Sequence, residues 1–155
     1  MQKIFKIFIV ILAFPFLISA RQISIRNITL YLPHAETKRL ISKNDRIVYT
    51  ADDDLAGVIY SRLAKYSEGP EYLDLFHENS YAFSNQDTAT ADISVMPLSD
   101  SAAAEYLTIY SIVNSLTSTG EIITVTFTQN GIPEKDLYGF CDMRETFIPD
   151  FSFCS

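Results

Sequence analysis

The sequence predicts a two-layer α+β domain, in which two helices pack on one face of a mostly antiparallel or mixed sheet. Three short segments alternate apolar residues with hydroxyl or acidic ones, which is typical of strands with one buried and one exposed face. Two longer segments repeat apolar residues at three- and four-residue spacing, which is typical of amphipathic helices. A sheet covered by helices on both faces would lack this alternation, so we place both helices on the same face.

The first two strands are predicted on either side of a polar turn. Residues 28–32 alternate, and Pro33 is expected to end this strand because proline cannot donate a ladder hydrogen bond. Residues 34–43 are polar and predict a turn, and residues 46–50 predict a short second strand.

The first helix is predicted directly after the three aspartates at 52–54, whose carboxylates cap free amide groups and match the helix dipole. Residues 69–70, Gly-Pro, are expected to end it. The aromatic segment 72–83 predicts a short helical turn and then an extended stretch. The stripe of the helix is Leu55, Val58, Ile59, Leu63 and Tyr66, and the apolar residues of the next strand are Ala89, Ala91, Ile93 and Val95.

The second helix is predicted to begin at Ser99–Ser101 and to end at Gly120, a residue that tolerates positive φ. Its stripe consists of Ala103, Tyr106, Leu107, Tyr110, Val113 and Leu116. The strand that follows alternates Ile123, Val125 and Phe127 with Thr124, Thr126 and Thr128. An irregular C-terminal arm completes the chain.

Residues 1–20 are predicted to be an export signal. Lys3 and Lys6 precede an uncharged apolar run at 7–18, and Ala20 is a small residue suited to cleavage. The run is shorter than the about 20 apolar residues of a membrane span, and Pro15 interrupts its end. Cleavage after Ala20 is therefore favoured over a retained anchor, and the protein is expected to be periplasmic or otherwise extracytoplasmic.

The charge of the chain argues against nucleic-acid binding. The whole chain has 12 basic and 19 acidic residues, and the two lysines of the signal are its only charges, so the mature chain has 10 basic and 19 acidic residues. Phosphate neutralisation needs clustered Lys and Arg. The charges are also uneven, because residues 21–66 have a net charge of +3 and residues 67–134 have a net charge of −10.

The two cysteines, Cys141 and Cys154, predict a disulfide, because a close pair in an exported chain is typical of one. Such a bond would hold the phenylalanines of the arm, Phe147, Phe151 and Phe153, against the domain. Zinc is disfavoured because two thiols without nearby histidines make an incomplete site.

No other group of residues predicts catalysis or a cofactor. The aspartates at 52–54 lack the alternate spacing of a calcium loop. Cys141 and His77 could form a thiol nucleophile and its base, but no residue near Cys141 suggests that the thiol is activated. Asn114 lies at the edge of an apolar stripe, where a hydrogen bond to a neighbouring loop is favoured over a partner contact. We therefore predict a protein that is not an enzyme and needs no cofactor.

Five short motifs resemble the GerMN domain of bacterial sporulation and spore germination proteins and of many cell-envelope lipoproteins. They are Leu-Tyr-Leu-Pro at 30–33, Asp-Ile-Ser at 92–94, Ile-Val-Asn-Ser-Leu-Thr at 112–117, Asn-Gly at 130–131 and Leu-Tyr-Gly-Phe-Cys-Asp at 137–142. The resemblance spans residues 28–149 and leaves 150–155 as a tail. The residues that match its signature are Val113, Asn114, Leu116, Thr117, Gly131 and Asp142.

The resemblance implies an extracytoplasmic, non-catalytic interaction module with a fold similar to the ring-building modules of envelope machines. Its partner would be another envelope protein or a further copy of the chain, with the uneven charge orienting the contact. Family members are often lipoproteins, but this chain has no cysteine near the end of its signal. The alternative is a module that binds wall glycan or peptide through a free sheet face or an exposed edge strand. A small hydrolase is the least favoured reading, because no triad, acid pair or metal cluster is evident.

Overall fold

The computed structural model describes residues 22–69, 72, 80–93, 101–133 and 141–155. Within them the elements are β1 (Ile23–His34), β2 (Arg39–Thr50), α1 (Leu55–Ser67), β3 (Tyr81–Asn85), β4 (Thr88–Asp92), α2 (Ala102–Leu116), a 3-10 turn (Thr117–Thr119) and β5 (Thr124–Thr128). The predicted α+β class, with two helices and mostly antiparallel or mixed strands, is confirmed.

The strands form two sheets. β1 and β2 make a long antiparallel hairpin, and the second sheet has the order β3-β4-β5. In that second sheet β3 pairs antiparallel with β4, whereas β4 pairs parallel with β5. Both helices and both sheets contribute to one buried apolar cluster, which includes Leu30, Leu32, Ile59, Leu63, Ile109, Ile112, Val113, Leu116, Val125 and Phe127.

The hairpin is longer than predicted, and Pro33 does not end β1. Pro33 pairs with Leu40 inside the hairpin, and Leu40 directs its own N–H and C=O away from β1, towards the backbone of the C-terminal arm. Pro33 therefore lies at a position whose N–H would point outward, so no ladder hydrogen bond is lost. The predicted turn at 34–43 is also wrong in extent, because β2 already begins at Arg39.

The alternation predicted for the second sheet is present in β4 and β5. Ala89, Ala91, Val125 and Phe127 are buried, and the threonines between them face outward. Ile123 departs from the prediction, since it precedes β5 and is 55% exposed. Val95 and residues 73–79 lie outside the described residues.

The helices begin at the predicted caps. Asp54 accepts a hydrogen bond from Gly57 N at 3.0 Å at the start of α1, and Ser101 accepts one from Ala104 N at the start of α2. Ala103 is exposed, contrary to its predicted place in the stripe. α2 ends at Leu116, and the turn after it closes at Gly120 with φ of 74°. No helix in the described part of the chain is long and apolar enough to cross a membrane, and the predicted signal lies outside that part.

Candidate interaction surface

Backbone groups at the edges of both sheets are held by other parts of the chain, beginning with β1. Along one side of α2, Ser115 Oγ accepts a hydrogen bond from Tyr31 N at 2.9 Å, and Ser111 Oγ donates to Tyr31 O at 2.5 Å. In the 3-10 turn, Ser118 Oγ accepts from Thr29 N at 3.3 Å. This edge of β1 is therefore covered by hydroxyl groups from position 29 onward.

The edge of β3 is covered by the start of α1. The carboxylate of Asp54 accepts hydrogen bonds from Ser84 N at 2.9 Å and from Ser84 Oγ at 2.8 Å, in addition to capping the helix. The backbones come so close that a Cβ on Gly57 would lie 3.1 Å from the carbonyl oxygen of Ala82. Asp54 thus joins a helix to a strand edge, which goes beyond the capping role predicted for the aspartates at 52–54.

The C-terminal arm covers one edge in each sheet. Phe147 exchanges backbone hydrogen bonds of 2.9 and 2.8 Å with Val125 at the edge of β5, and Leu40 N donates to Phe153 O at 2.9 Å at the edge of β2. Asn114, fully buried on α2, donates from Nδ2 to Asp150 O at 2.7 Å and accepts from Asp150 N at 3.0 Å through Oδ1. The prediction that Asn114 binds a neighbouring loop is confirmed.

The signature residue Gly131 takes part in a second contact between a side chain and the backbone. The buried carboxylate of Asp92 accepts hydrogen bonds from Asn130 N at 2.9 Å and from Gly131 N at 2.6 Å, and Gly131 has φ of 76°. The other signature residues are placed within α2, its end and the arm. Val113 and Leu116 are buried, Thr117 Oγ1 donates to Val113 O at 2.8 Å, and Asp142 pairs with Arg144 at 2.6 Å.

An exposed apolar patch lies at the open end of the hairpin, and we call it the hairpin patch. It consists of Ile23, Ile25 and Val48, which are 66, 65 and 60% exposed. Ile25 and Val48 are cross-strand partners, and Ile23 lies two residues along the same face of β1. Sequence reasoning missed this patch because it began the strand at residue 28. The alternation of Ile23 and Ile25 with Ser24 and Arg26 was the available signal.

Within the described part of the chain, the backbone edge beside the hairpin patch is uncovered on β1 and obstructed on β2. Arg46 N donates to the side chain of its neighbour Asp45 at 2.7 Å, and Thr50 N donates to Asp53 at 2.7 Å. On β1, residues 23–27 precede the part covered by α2 and the 3-10 turn. Among the described residues, none hydrogen-bonds the outward backbone groups of this stretch, which we call the β1 window.

The outer face of the three-stranded sheet carries partly buried threonines, and we call it the threonine face. Thr88 and Thr124 join their hydroxyl groups at 2.9 Å, and Thr90 and Thr126 do so at 3.1 Å. On β3, Tyr81 and Phe83 are 52 and 44% exposed and stack with ring centroids 6.2 Å apart. The hydroxyl groups predicted on this face are present among the described residues, and two exposed aromatic side chains border them.

The surface charge is less uneven than the sequence halves are. Two acids of the acidic half, Asp92 and Glu105, are buried and bind backbone amides. Arg26 of the basic half pairs with Glu121 of the acidic half at 2.5 Å. Part of the predicted asymmetry is therefore neutralised within the chain.

The structure does not support the predicted disulfide, because Cys141 and Cys154 are both free thiols. Cys141 N donates to Glu105 in the first turn of α2, whereas Cys154 Sγ lies 4.0 Å from Asn114 Nδ2. These contacts are nine residues apart on α2, which corresponds to roughly 13 Å of helix. The Cα atoms of a disulfide lie within about 7 Å of each other.

The arm is instead held by aromatic packing. Phe153 stacks on Tyr110 with ring centroids 5.2 Å apart, and Phe147 packs edge-on against Phe127 at 5.3 Å. Phe151 contacts the Tyr31 ring at 5.5 Å but stays 53% exposed. The predicted docking of the arm thus occurs without a covalent bond.

Neither thiol has the environment of a nucleophile. Burial raises the pKa of the Cys141 thiol, and a hydrogen bond with Tyr106 only partly offsets this. Burial likewise raises the pKa of the Cys154 thiol. Both are therefore protonated at neutral pH. His77, the base considered with Cys141, lies outside the described residues, and no three metal-ligating side chains cluster within them.

These features define a small α+β module whose exposed apolar groups, within the described residues, include the hairpin patch and the ring pair of Tyr81 and Phe83. The sequence profile of the Germane family, described as sporulation and spore germination, matches residues 29–135. The chain belongs to that family, and the resemblance to GerMN domains is confirmed.

Two solved structures share the fold. One is a candidate lipoprotein from Clostridium perfringens, with 17% identity, a TM-score of 0.53 and coverage of 81% of this chain and 88% of that one. The other contains the tandem GerMN domains of the sporulation protein GerM from Bacillus subtilis, with 16% identity, a TM-score of 0.52 and coverage of 83% of this chain and 47% of that one. No curated protein sequence matches significantly.

Proposed function

We propose that the protein is a non-catalytic, extracytoplasmic module of the cell envelope that binds an envelope protein or a further copy of itself. The observation that carries this proposal is the hairpin patch beside the β1 window. Three large aliphatic side chains that are each at least 60% exposed lie next to a strand edge that no described residue covers. Contiguous exposed apolar groups and uncovered edges are features of protein-binding surfaces. Membership of a sporulation and germination family supports an envelope setting.

The test compares capture of envelope proteins, and self-association, between matched surface variants. The first variant carries Ile25→Ser and Val48→Ser in the hairpin patch. The control carries Ile123→Ser and Ile132→Ser, which are 55 and 59% exposed elsewhere on the domain. We expect the first variant to lose binding and the control to keep it, with equal unfolding midpoints. Equal binding by both variants would remove the hairpin patch from the proposal.

The uneven charge is proposed to orient the contact with the partner. The structure indicates which basic residue can be used to test this. Arg39 donates to Cys154 O at 3.0 Å, and Lys43 Nζ lies 3.8 Å from the centre of the Tyr66 ring. Replacing either residue with glutamate would therefore remove a contact within the fold. Arg46 is exposed on the outer face beside Val48. Arg46→Glu is expected to slow association at low salt and to have little effect at high salt. An equal effect at both salt concentrations would exclude steering by this charge.

Binding of wall glycan is the second candidate function, and the threonine face favours it. The stacked rings of Tyr81 and Phe83 offer a flat apolar surface beside paired hydroxyl groups, which suits the faces and hydroxyl groups of sugar rings. The double variant Tyr81→Ala, Phe83→Ala should co-sediment less with purified wall. The double variant Ile25→Ser, Val48→Ser should co-sediment as the unchanged chain does. The reverse pattern would assign wall binding to the hairpin patch.

A further inference from the structure

We propose that two copies of the chain join through the β1 window, in antiparallel pairing centred on Ile25 of each copy. This inference rests on the proposed function and names a partner and a register for the same surface. The result would be a continuous four-stranded sheet with the order β2-β1-β1-β2. The two hairpin patches would then merge on its outer face.

The choice of β1 over β2 follows from what occupies each edge. The side chains of Asp45 and Asp53 already bind the outward N–H groups of Arg46 and Thr50 on β2. An incoming strand at that edge would have to displace both carboxylates. The outward groups of the β1 window bind no described residue, so a partner strand can pair there without displacing any described group.

The hydrogen bonds of residues 29 and 31 show which backbone groups of β1 point away from β2. Thr29 and Tyr31 direct their N–H groups at α2 and the turn after it, away from β2. Because backbone groups alternate along a strand, Ile23, Ile25 and Asn27 direct theirs to the same side. These are the three outward positions of the window.

The register follows from the limits of the window. Pairing cannot extend past position 28 because Ser118 occupies the edge at Thr29. A symmetric antiparallel arrangement that uses all three outward positions pairs Ile25 with Ile25, and Ile23 with Asn27, of the two copies. No like charges face each other in this register. The one charged side chain of the window, Arg26, is already paired with Glu121.

A second copy also covers the exposed apolar surface. Ile25 would meet its equivalent across the new strand pair, and Ile23 and Val48 would flank it in each copy. A different protein would need to supply its own apolar strand of matching length. The pairing involves few residues per chain, so the dimer is expected to be weak and to form only at high protein concentration.

Cysteine cross-linking in the full chain tests the register. Ile25→Cys and Val48→Cys are compared in a Cys141→Ser, Cys154→Ser background, and the chain with its native cysteines alone is the control. Paired Ile25 positions lie about 5.5 Å apart, which a disulfide can span. The two Val48 positions are three strand spacings apart, about 14 Å, which it cannot. We expect oxidation to yield dimers with Ile25→Cys alone.

Ile25→Pro provides an independent test by sedimentation. It removes an outward N–H but no bond to β2, as Pro33 shows is tolerated in this strand. We expect an unchanged circular dichroism spectrum and self-association weakened by about tenfold or more. Equal cross-linking at positions 25 and 48, or unchanged association of a folded Ile25→Pro chain, would overturn the proposal. Patch-dependent capture of other envelope proteins without self-association would also overturn it, while leaving the proposed function intact.

Discussion

The side chain of Asn114 and the backbone of Asp150 hydrogen-bond each other in both directions, with distances of 2.7 and 3.0 Å. The amide thereby satisfies one donor and one acceptor of a segment that has no regular secondary structure. Asp150 lies in sequence between Phe147 and Phe153, the two places where the arm pairs with a sheet edge. Asn114 is therefore the central attachment point of the arm.

We predict that Asn114→Ala destabilises the fold by about 2 kcal/mol, because it leaves two partly buried backbone groups without partners. Asn114→Asp should be at least as harmful, since a carboxylate cannot donate to Asp150 O. Urea unfolding gives the stability, and hydrogen exchange should rise in residues 147–155. Asn44→Ala is the control, because Asn44 is exposed and accepts a single hydrogen bond from Thr29. Equal losses for the two alanine variants would refute a special role for Asn114.

Ser115→Ala is predicted to cost about 1–3 kcal/mol, because the outward N–H of Tyr31 would lose its acceptor beside the core. Ser61→Ala is a matched control on α1, where an exposed serine donates only to Gly57 O of its own helix. The free energy of unfolding should change little in that variant. A small effect at Ser115 would indicate that water replaces the hydroxyl at this edge.

Asp54 is predicted to stabilise the fold through two separable contacts. Asp54→Ala should cost about 2 kcal/mol, because it removes both the helix cap and the acceptor for Ser84. Asp54→Ser keeps a capping oxygen but cannot hold Ser84 with a second one, so its loss should be about half as large. If the serine variant is as unstable as the alanine variant, the cap contributes little.

Stability is predicted to fall as the pH rises above about 9. Burial raises the pKa of Tyr60, Cys141 and Cys154 in the folded state above the ordinary values of 10.0 for a phenol and 9.0 for a thiol. Below pH 9 these phenol and thiol groups are protonated in both the folded and the unfolded chain, so the full stability is present. At higher pH the unfolded chain ionises first and is favoured. Thermal unfolding across this range checks the sign, and Tyr60→Phe should reduce the slope.

Much of the secondary structure was predictable because it depends on local patterns. The alternation of β4 and β5 follows from side-chain direction in a strand, and α2 follows from its helical period. The resemblance also pointed to Asn114 and Gly131, and the structure assigns both to backbone contacts.

The alternation at Ile23 and Ile25 already indicated the hairpin patch, but the full length of the hairpin and the separation of the two cysteines were not predictable by the same reasoning. Pro33 reads as a strand breaker unless the edge it occupies is known, and that edge is defined by α2, about 80 residues away in sequence. The disulfide was predicted from proximity in sequence, whereas Cys141 and Cys154 contact opposite parts of one helix. Contacts between distant segments determined each of these outcomes.

The arm also sets the order in which the chain can fold during synthesis. Leu40 and Cys154 form one bridge and Val125 and Phe147 another, so the edges of both sheets stay incomplete until residues 147–155 have left the ribosome. Contacts of such large sequence separation slow folding, because the closing loop must be ordered first. Until those residues are available, the edge groups of Leu40 and Val125 lack these backbone partners.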